Sequence, residues 1–143
     1  MMNMLTYVEF RSDLFPAEPD EAELVNPGIH GRRLAHFLAA GLNGQGFACG
    51  APFPEDWGWH IPVENEKFAL WIGCANYAEY PDGFLCFIEP HKPVIRKLFT
   101  KTETRSRVES LQQAMDTVLS AQPEIRAKRW WTHEEFNNPP TQA

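Results

Sequence analysis

Apolar residues recur along this chain with two alternating spacings, and the switches between them outline its elements. Near the start, Leu5 to Phe10 alternates loosely through Tyr7, Val8 and Phe10, which predicts a strand. The spacing then lengthens. Leu34, Phe37, Leu38 and Leu42 share one helical face, with Arg32, Arg33 and His36 largely off it. This predicts an amphipathic helix of about four turns at 3.6 residues per turn. Asn26-Pro27-Gly28 supplies its start, with asparagine as N-cap and proline at the first helical position. Gly41, Gly44 and Gly46 supply its stop.

At Asp56-Trp57-Gly58-Trp59 the period returns to two. Trp57, Trp59, Ile61 and Val63 alternate with Asp56, Gly58, His60 and Pro62. Phe68 to Tyr77 is apolar on both parities, as a strand covered on both faces would be. Phe84 to Ile88 is a third, shorter strand. Turns at Glu64–Lys67 and at Pro81-Asp82-Gly83 join the three into an antiparallel meander, which Pro90 and Pro93 close. Helical spacing resumes in Val108, Leu111, Met115, Val118 and Leu119, and Pro123 ends it. Ile125 to Trp131 reads as a last strand. The acidic segment from Phe15 to Glu23 and the lead-in Ala51–Pro54 read as irregular, because their prolines lack a donor and fix φ.

Strand, helix, three strands, helix and strand predict an α+β fold: a two-layer sandwich of a mostly antiparallel sheet with helices on one face. The order resembles a ferredoxin-like βαββαβ arrangement with one added strand. One domain is expected over residues 1–136, with 137–143 as a flexible tail. At 143 residues, 43% hydrophobic, the chain suffices for one core and is too apolar for a disordered segment.

Three cysteines, odd in number and far apart, fit reduced thiols in a cytoplasmic protein, with Cys74 and Cys86 acting as small hydrophobes. The N-terminus lacks the basic and apolar regions of a signal peptide, and no apolar run nears the roughly 18–20 residues of a membrane span. Neither export nor a membrane is expected.

Candidate chemistry concentrates at Glu55-Asp56-Trp57-Gly58-Trp59-His60. Strand alternation puts Trp57 and Trp59 on one face and Asp56, Gly58 and His60 on the other, with Glu55 at the mouth. Read functionally, this is a platform of rings and carboxylates for a ligand or partner. Read structurally, the tryptophans pack in the core, and that reading is preferred. The Asp56/Gly58/His60 side is then the opening to look at first.

His30, His36, His60, His91 and His133 form no HxxxH or HExxH group, and the cysteines no CxxC, so neither metal nor cofactor is expected. Cys74 and His60 could meet across neighbouring strands, yet nothing beside Cys74 would lower its pKa. Paired carboxylates such as Glu64/Glu66 and Glu134/Glu135 carry no placement. The glycines at 41, 44, 46 and 50 follow a helix where a dinucleotide fingerprint would follow a strand.

Charge is polarised. Residues 91–107 carry Lys92, Arg96, Lys97, Lys101, Arg105 and Arg107 against Glu103 alone, while the first 24 residues hold six acids against Arg11. Arg126, Lys128 and Arg129 stand beside Trp130 and Trp131. A basic, aromatic surface suits nucleic acid, the acidic loop of the same molecule, or an acidic protein. The net charge of -6 ranks nucleic acid below protein, and charge runs that are merely solvated surface are the preferred single reading.

The stretches Pro54–Trp59, Leu70-Trp71-Ile72-Gly73-Cys74 and Arg129-Trp130-Trp131 resemble those of a small bacterial α+β family in the style of toxin-immunity proteins. The resemblance implies no catalytic residues. The expectation is a non-enzymatic cytosolic protein acting by protein–protein contact, in an immunity or regulatory role. Glu55, Asp56, Trp57, Trp59, His60, Arg129 and Trp130 are its candidate contacts, and a homodimer is left open. The alternative is an enzyme or small-ligand binder with its pocket at the Glu55/Asp56/His60 mouth.

Overall fold

Residues 3–138 are described in a computed structural model, and the expected tail beyond 138 lies outside the described residues. The first strand, β1 (Leu5–Arg11), leads through a proline loop and a single 3-10 turn at Glu21–Glu23 into helix α1 (Arg32–Asn43). Strands β2 (Phe53–Glu55), β3 (Gly58–Val63), β4 (Leu70–Asn76) and β5 (Gly83–Glu89) follow. A small pair, β6 (Val94–Lys97) and β7 (Thr100–Glu103), precedes helix α2 (Arg105–Ser120). Strand β8 (Arg126–Thr132) and the short helix α3 (His133–Asn137) end the described chain.

Six strands form one sheet in the order β2-β3-β4-β5-β1-β8, with every neighbouring pair antiparallel. Within it, β1, α1, β4, β5, α2 and β8 make the βαββαβ unit: β5 separates β1 from β4, and β1 separates β5 from β8. The expected ferredoxin-like order is therefore present. The addition is the β2–β3 hairpin beside β4, two strands where one was expected.

Helices α1 and α2 cover one face. Val8, Phe10, Ile61, Ile72, Cys74, Cys86 and Ile88 pack there against Leu34, Leu38 and Leu42 of α1 and Leu111, Met115 and Leu119 of α2. Both apolar stripes read from the sequence are buried, apart from Phe37, which is half-buried at the edge of the core. Gly41 does not stop α1 but lies within it; a Cβ there would meet Val118 Cγ1 at 2.5 Å, so glycine lets the helices approach. Free Cys74 and Cys86 sit opposite each other on this face, Sγ atoms 3.6 Å apart, and burial pushes the Cys74 thiol well above its ordinary range.

Two boundaries differ from expectation. Asn26-Pro27-Gly28 makes a turn, with Gly28 at φ +83°, and α1 begins only at Arg32, giving 12 residues. The basic stretch after Pro93, to which neither apolar spacing assigns an element, pairs with itself as β6–β7.

Candidate functional site

The side chain that organises the N-terminal half is Glu21, in the loop expected to be solvated. It is 1% exposed. Its Oε2 accepts from the backbone N–H of Gly31 (2.7 Å) and Arg32 (2.9 Å) and from Trp59 Nε1 (2.9 Å), while Oε1 accepts from the Glu18 N–H (2.9 Å). Two of those donors are the orphan amides at the start of α1, so this distant carboxylate performs the capping that Asn26 was expected to perform. Burial pushes the Glu21 carboxyl upward, but the hydrogen bonds from Glu18, Arg32, Gly31 and Trp59 outweigh it and hold the group below the usual range. Arg32 lies over the Trp59 ring at 4.7 Å and pairs with Asp20 and Glu18. The acidic loop thus spends much of its charge on α1.

Trp59 is accordingly a core residue, as preferred, but Trp57 is not its neighbour on that face. Asp56 and Trp57 form the turn between β2 and β3, and strand alternation starts only at Gly58. Gly58 has φ +150°, and a Cβ on it would lie 2.5 Å from Cys74 O, so only glycine fits. Trp57 folds onto the opposite face of the sheet, against Trp71 (5.8 Å between ring centroids) and Phe87 (5.3 Å). The expectation of two tryptophans on one strand face is corrected by that turn.

On this outer face rings run from one side of the sheet to the other. Phe53 stacks on His60 (4.4 Å), His60 on Trp71 (4.2 Å), and Trp71 meets Phe87 edge-on. Phe87 stacks on Tyr7, and Tyr7 on Phe136 of α3 (4.6 Å). A Cβ on Gly73 would lie 2.2 Å from Phe87 Cζ: the glycine makes room for the ring to lie flat on the sheet. The rings are half-buried, and Phe53 is 41% exposed. Beyond Tyr7, His133 stacks on His91 at 3.6 Å, and His91 Nδ1 lies 2.6 Å from Glu89 Oε1.

The strip ends in a cleft of about 370 Å³ beside β1, β8 and α3. Tyr77, Tyr80, Trp131 and Phe136 wall it, and Glu9, Glu79 and Glu135 rim it. Trp131 Nε1 donates to Glu9 Oε1 (2.8 Å), and Arg129 covers the Trp131 ring at 3.7 Å. Burial, then the charges of Glu79 and Glu9, raise the Tyr77 phenol, and Arg129 is the cation among the residues that line the cleft. Acids and aromatic faces converging here favour a cationic group.

The other expected site residues separate. Glu55 is half-buried on β2 and Asp56 is exposed in the turn. His60 lies between Phe53 and Trp71, so both imidazole faces are occupied; burial lowers its pKa while Glu55 opposes. It pairs with Gly73, one residue from Cys74, and so points away from the thiol across the sheet. Trp130 points to the helix side, where its Nε1 donates to Asp116, and Arg129 to the outer side. His30 precedes the helix rather than lying on it, with its backbone tied to Asn76. Among the described residues no three histidine, cysteine or acidic side chains converge as a metal-ligand set, and no helix is long and apolar enough to cross a membrane. No protein-family model, curated protein or solved structure matches the chain.

Proposed function

We propose that the chain is a non-enzymatic binding protein that contacts another protein through the outer face of its sheet, as an immunity or regulatory factor does. The supporting observation is the continuous strip of half-exposed rings from Phe53 to Phe136, ending in an acidic, aromatic cleft. Rings held by one another lose little side-chain freedom on contact, so partner binding there spends less on ordering than a surface of long flexible side chains would. Tryptophan, tyrosine and arginine are also the residues that most often anchor interfaces. The cleft would take a lysine or arginine of the partner. The small-ligand alternative at Glu55/Asp56/His60 ranks second, because stacking leaves only the edge of the His60 ring open.

Affinity capture from the source cell tests this. The wild-type chain is expected to retain one protein in stoichiometric amount, and Phe53→Ser, Tyr80→Ala and Glu79→Lys, all at exposed positions, should each reduce its recovery. Wild-type chain without a partner, or equal capture by the three variants, would remove the reading.

A further inference from the structure

The β6–β7 hairpin has a tip that neither folding nor packing explains. Its register runs from Val94↔Glu103 to Lys97↔Thr100, leaving Leu98 and Phe99 as a two-residue loop. Such loops are built by asparagine, aspartate and glycine, which accept positive φ. Leucine and phenylalanine offer nothing of the kind, and neither has positive φ here. Nor are they buried: Leu98 is 88% and Phe99 91% exposed, about twice the exposure of any other large exposed hydrophobic among the described residues, such as Leu24 at 43%.

Directly behind the tip stand three exposed cations, Lys97 and the cross-strand pair Arg96↔Lys101. Among the described residues none of them has an ion-pair partner. The base is fixed. Thr104, fully buried, donates from its N–H to Pro93 O (2.9 Å) and from its hydroxyl to Lys92 O, and α2 begins at the next residue. The hairpin belongs to no part of the six-stranded sheet.

We infer that this arm docks the protein on an anionic bilayer, Leu98 and Phe99 entering the acyl boundary and Arg96, Lys97 and Lys101 meeting the lipid phosphates. The order of groups along the arm carries the choice of occupant. Apolar groups lead, and cations follow one rung behind, roughly 3.4 Å per residue. A bilayer surface has that layering, with anionic headgroups lying over hydrocarbon. The chain as a whole carries a net charge of -6, so an anionic surface repels the rest of the molecule and selects the arm. The contact is peripheral and reversible, since two side chains insert far less than a spanning helix does. It is independent of the aromatic face and stands or falls separately from it.

Flotation of the full chain with phosphatidylcholine vesicles and with phosphatidylcholine–phosphatidylserine vesicles, at low salt, tests the assignment. Binding is expected on the anionic vesicles, at least about tenfold above the neutral ones, given about fivefold in partition per cation at such a surface. Leu98→Ser/Phe99→Ser should abolish most of it, and Arg96→Gln/Lys101→Gln should reduce it and its salt sensitivity. All four positions are exposed, so the thermal midpoint should not move, which separates docking from folding. No binding to either vesicle, equal binding to both, or wild-type binding by the serine variant each overturns the inference. In the first case the arm is left to a protein partner.

Discussion

The two faces of the sheet are packed by different chemistry. On the covered face, mainly aliphatic side chains of β1, β3, β4 and β5 interdigitate with leucines and methionine from two long helices, beside one buried cluster of rings, Phe10, Phe15 and Phe84, and Val8, Ile61, Ile72 and Ile88 have no exposure. On the outer face, among the described residues, the five-residue α3 lies against the strands, and flat rings cover much of the remainder. Aliphatic groups reach close packing when a second layer interlocks with them. Rings can tile a face with no second layer, because each contact between them contributes about 0.5–1.5 kcal/mol beyond burial. The covered face is therefore a finished core, and the outer face an ordered surface that still meets water.

This contrast is most directly broken by deletion on each side. Leu111→Ala should lose about 2–5 kcal/mol in urea unfolding, the usual range for a buried leucine. Trp71→Ala removes a larger side chain but one that is only half-buried, and should lose less, about 1–2 kcal/mol. Equal or greater loss at Trp71 would make the outer face a second core, and the binding proposal would lose its support.

Glu21 is the polar exception inside the covered layer. Glu21→Gln keeps the shape and leaves one oxygen for Gly31, Arg32 and Trp59, but it sets its amide N–H2 against the N–H of Glu18 and removes the charge, and should cost about 1–3 kcal/mol at neutral pH. The sign with pH follows from its lowered pKa. The folded carboxylate holds its proton less tightly than the unfolded one, so its contribution is complete above the ordinary glutamate range and lost as pH falls through the folded value. Denaturant midpoints from about pH 6 to about pH 3 should therefore fall more steeply for wild type than for the glutamine variant. Parallel curves would mean that Glu21 is not the carboxylate that counts.

How much of this was legible in the chain depends on where each residue's partners come from. The stripes of α1 and α2 and the alternation of β3 were readable because a helix or strand must repeat its apolar positions at its own period to reach a core. Trp57 was misplaced because the alternation continues one residue past the true strand start, into a turn with no asparagine or glycine at its centre. Gly58 was the available signal, since glycine inside a strand pattern marks a bulge or a close approach. The arm was missed for the same reason: Leu98-Phe99 is not turn chemistry. Glu21 had no local signal at all, because its donors lie up to 38 residues away. The outer strip was half visible in the apolar parity of β4, yet the rings meeting there come from β1, β2, β3, β5 and α3.

A smaller change sharpens the covered face from the other direction. Thr6, on the covered face of β1, has a fully buried hydroxyl with no hydrogen-bond partner among the described residues. Thr6→Val keeps the shape and removes the unsatisfied group, so stability should rise by about 1 kcal/mol. A loss on the same unfolding assay would show that the hydroxyl is engaged.

The smallest effect belongs where α3 meets the outer face. Burial, and then the nearby His91 and Lys92, lower the His133 pKa, while Glu89 opposes them. Its faces are taken by His91 at 3.6 Å and Tyr7 at 5.6 Å, and its Nε2 lies 3.1 Å from Asn137 Nδ2. A lowered histidine pKa means that the unfolded chain takes up the proton first. The neutral ring's contribution is therefore present above about pH 6.5 and is lost as pH falls through the folded value. The expected consequence is local. Acidification should loosen α3 and separate Phe136 from Tyr7, which NMR shifts of those two rings report, while the ring shifts of Phe10 and Phe84 on the covered face stay fixed. His133→Gln should flatten the response at Phe136. A response of equal size on both faces would mean that the sheet transmits the change, and that the two faces are less independent than their packing implies.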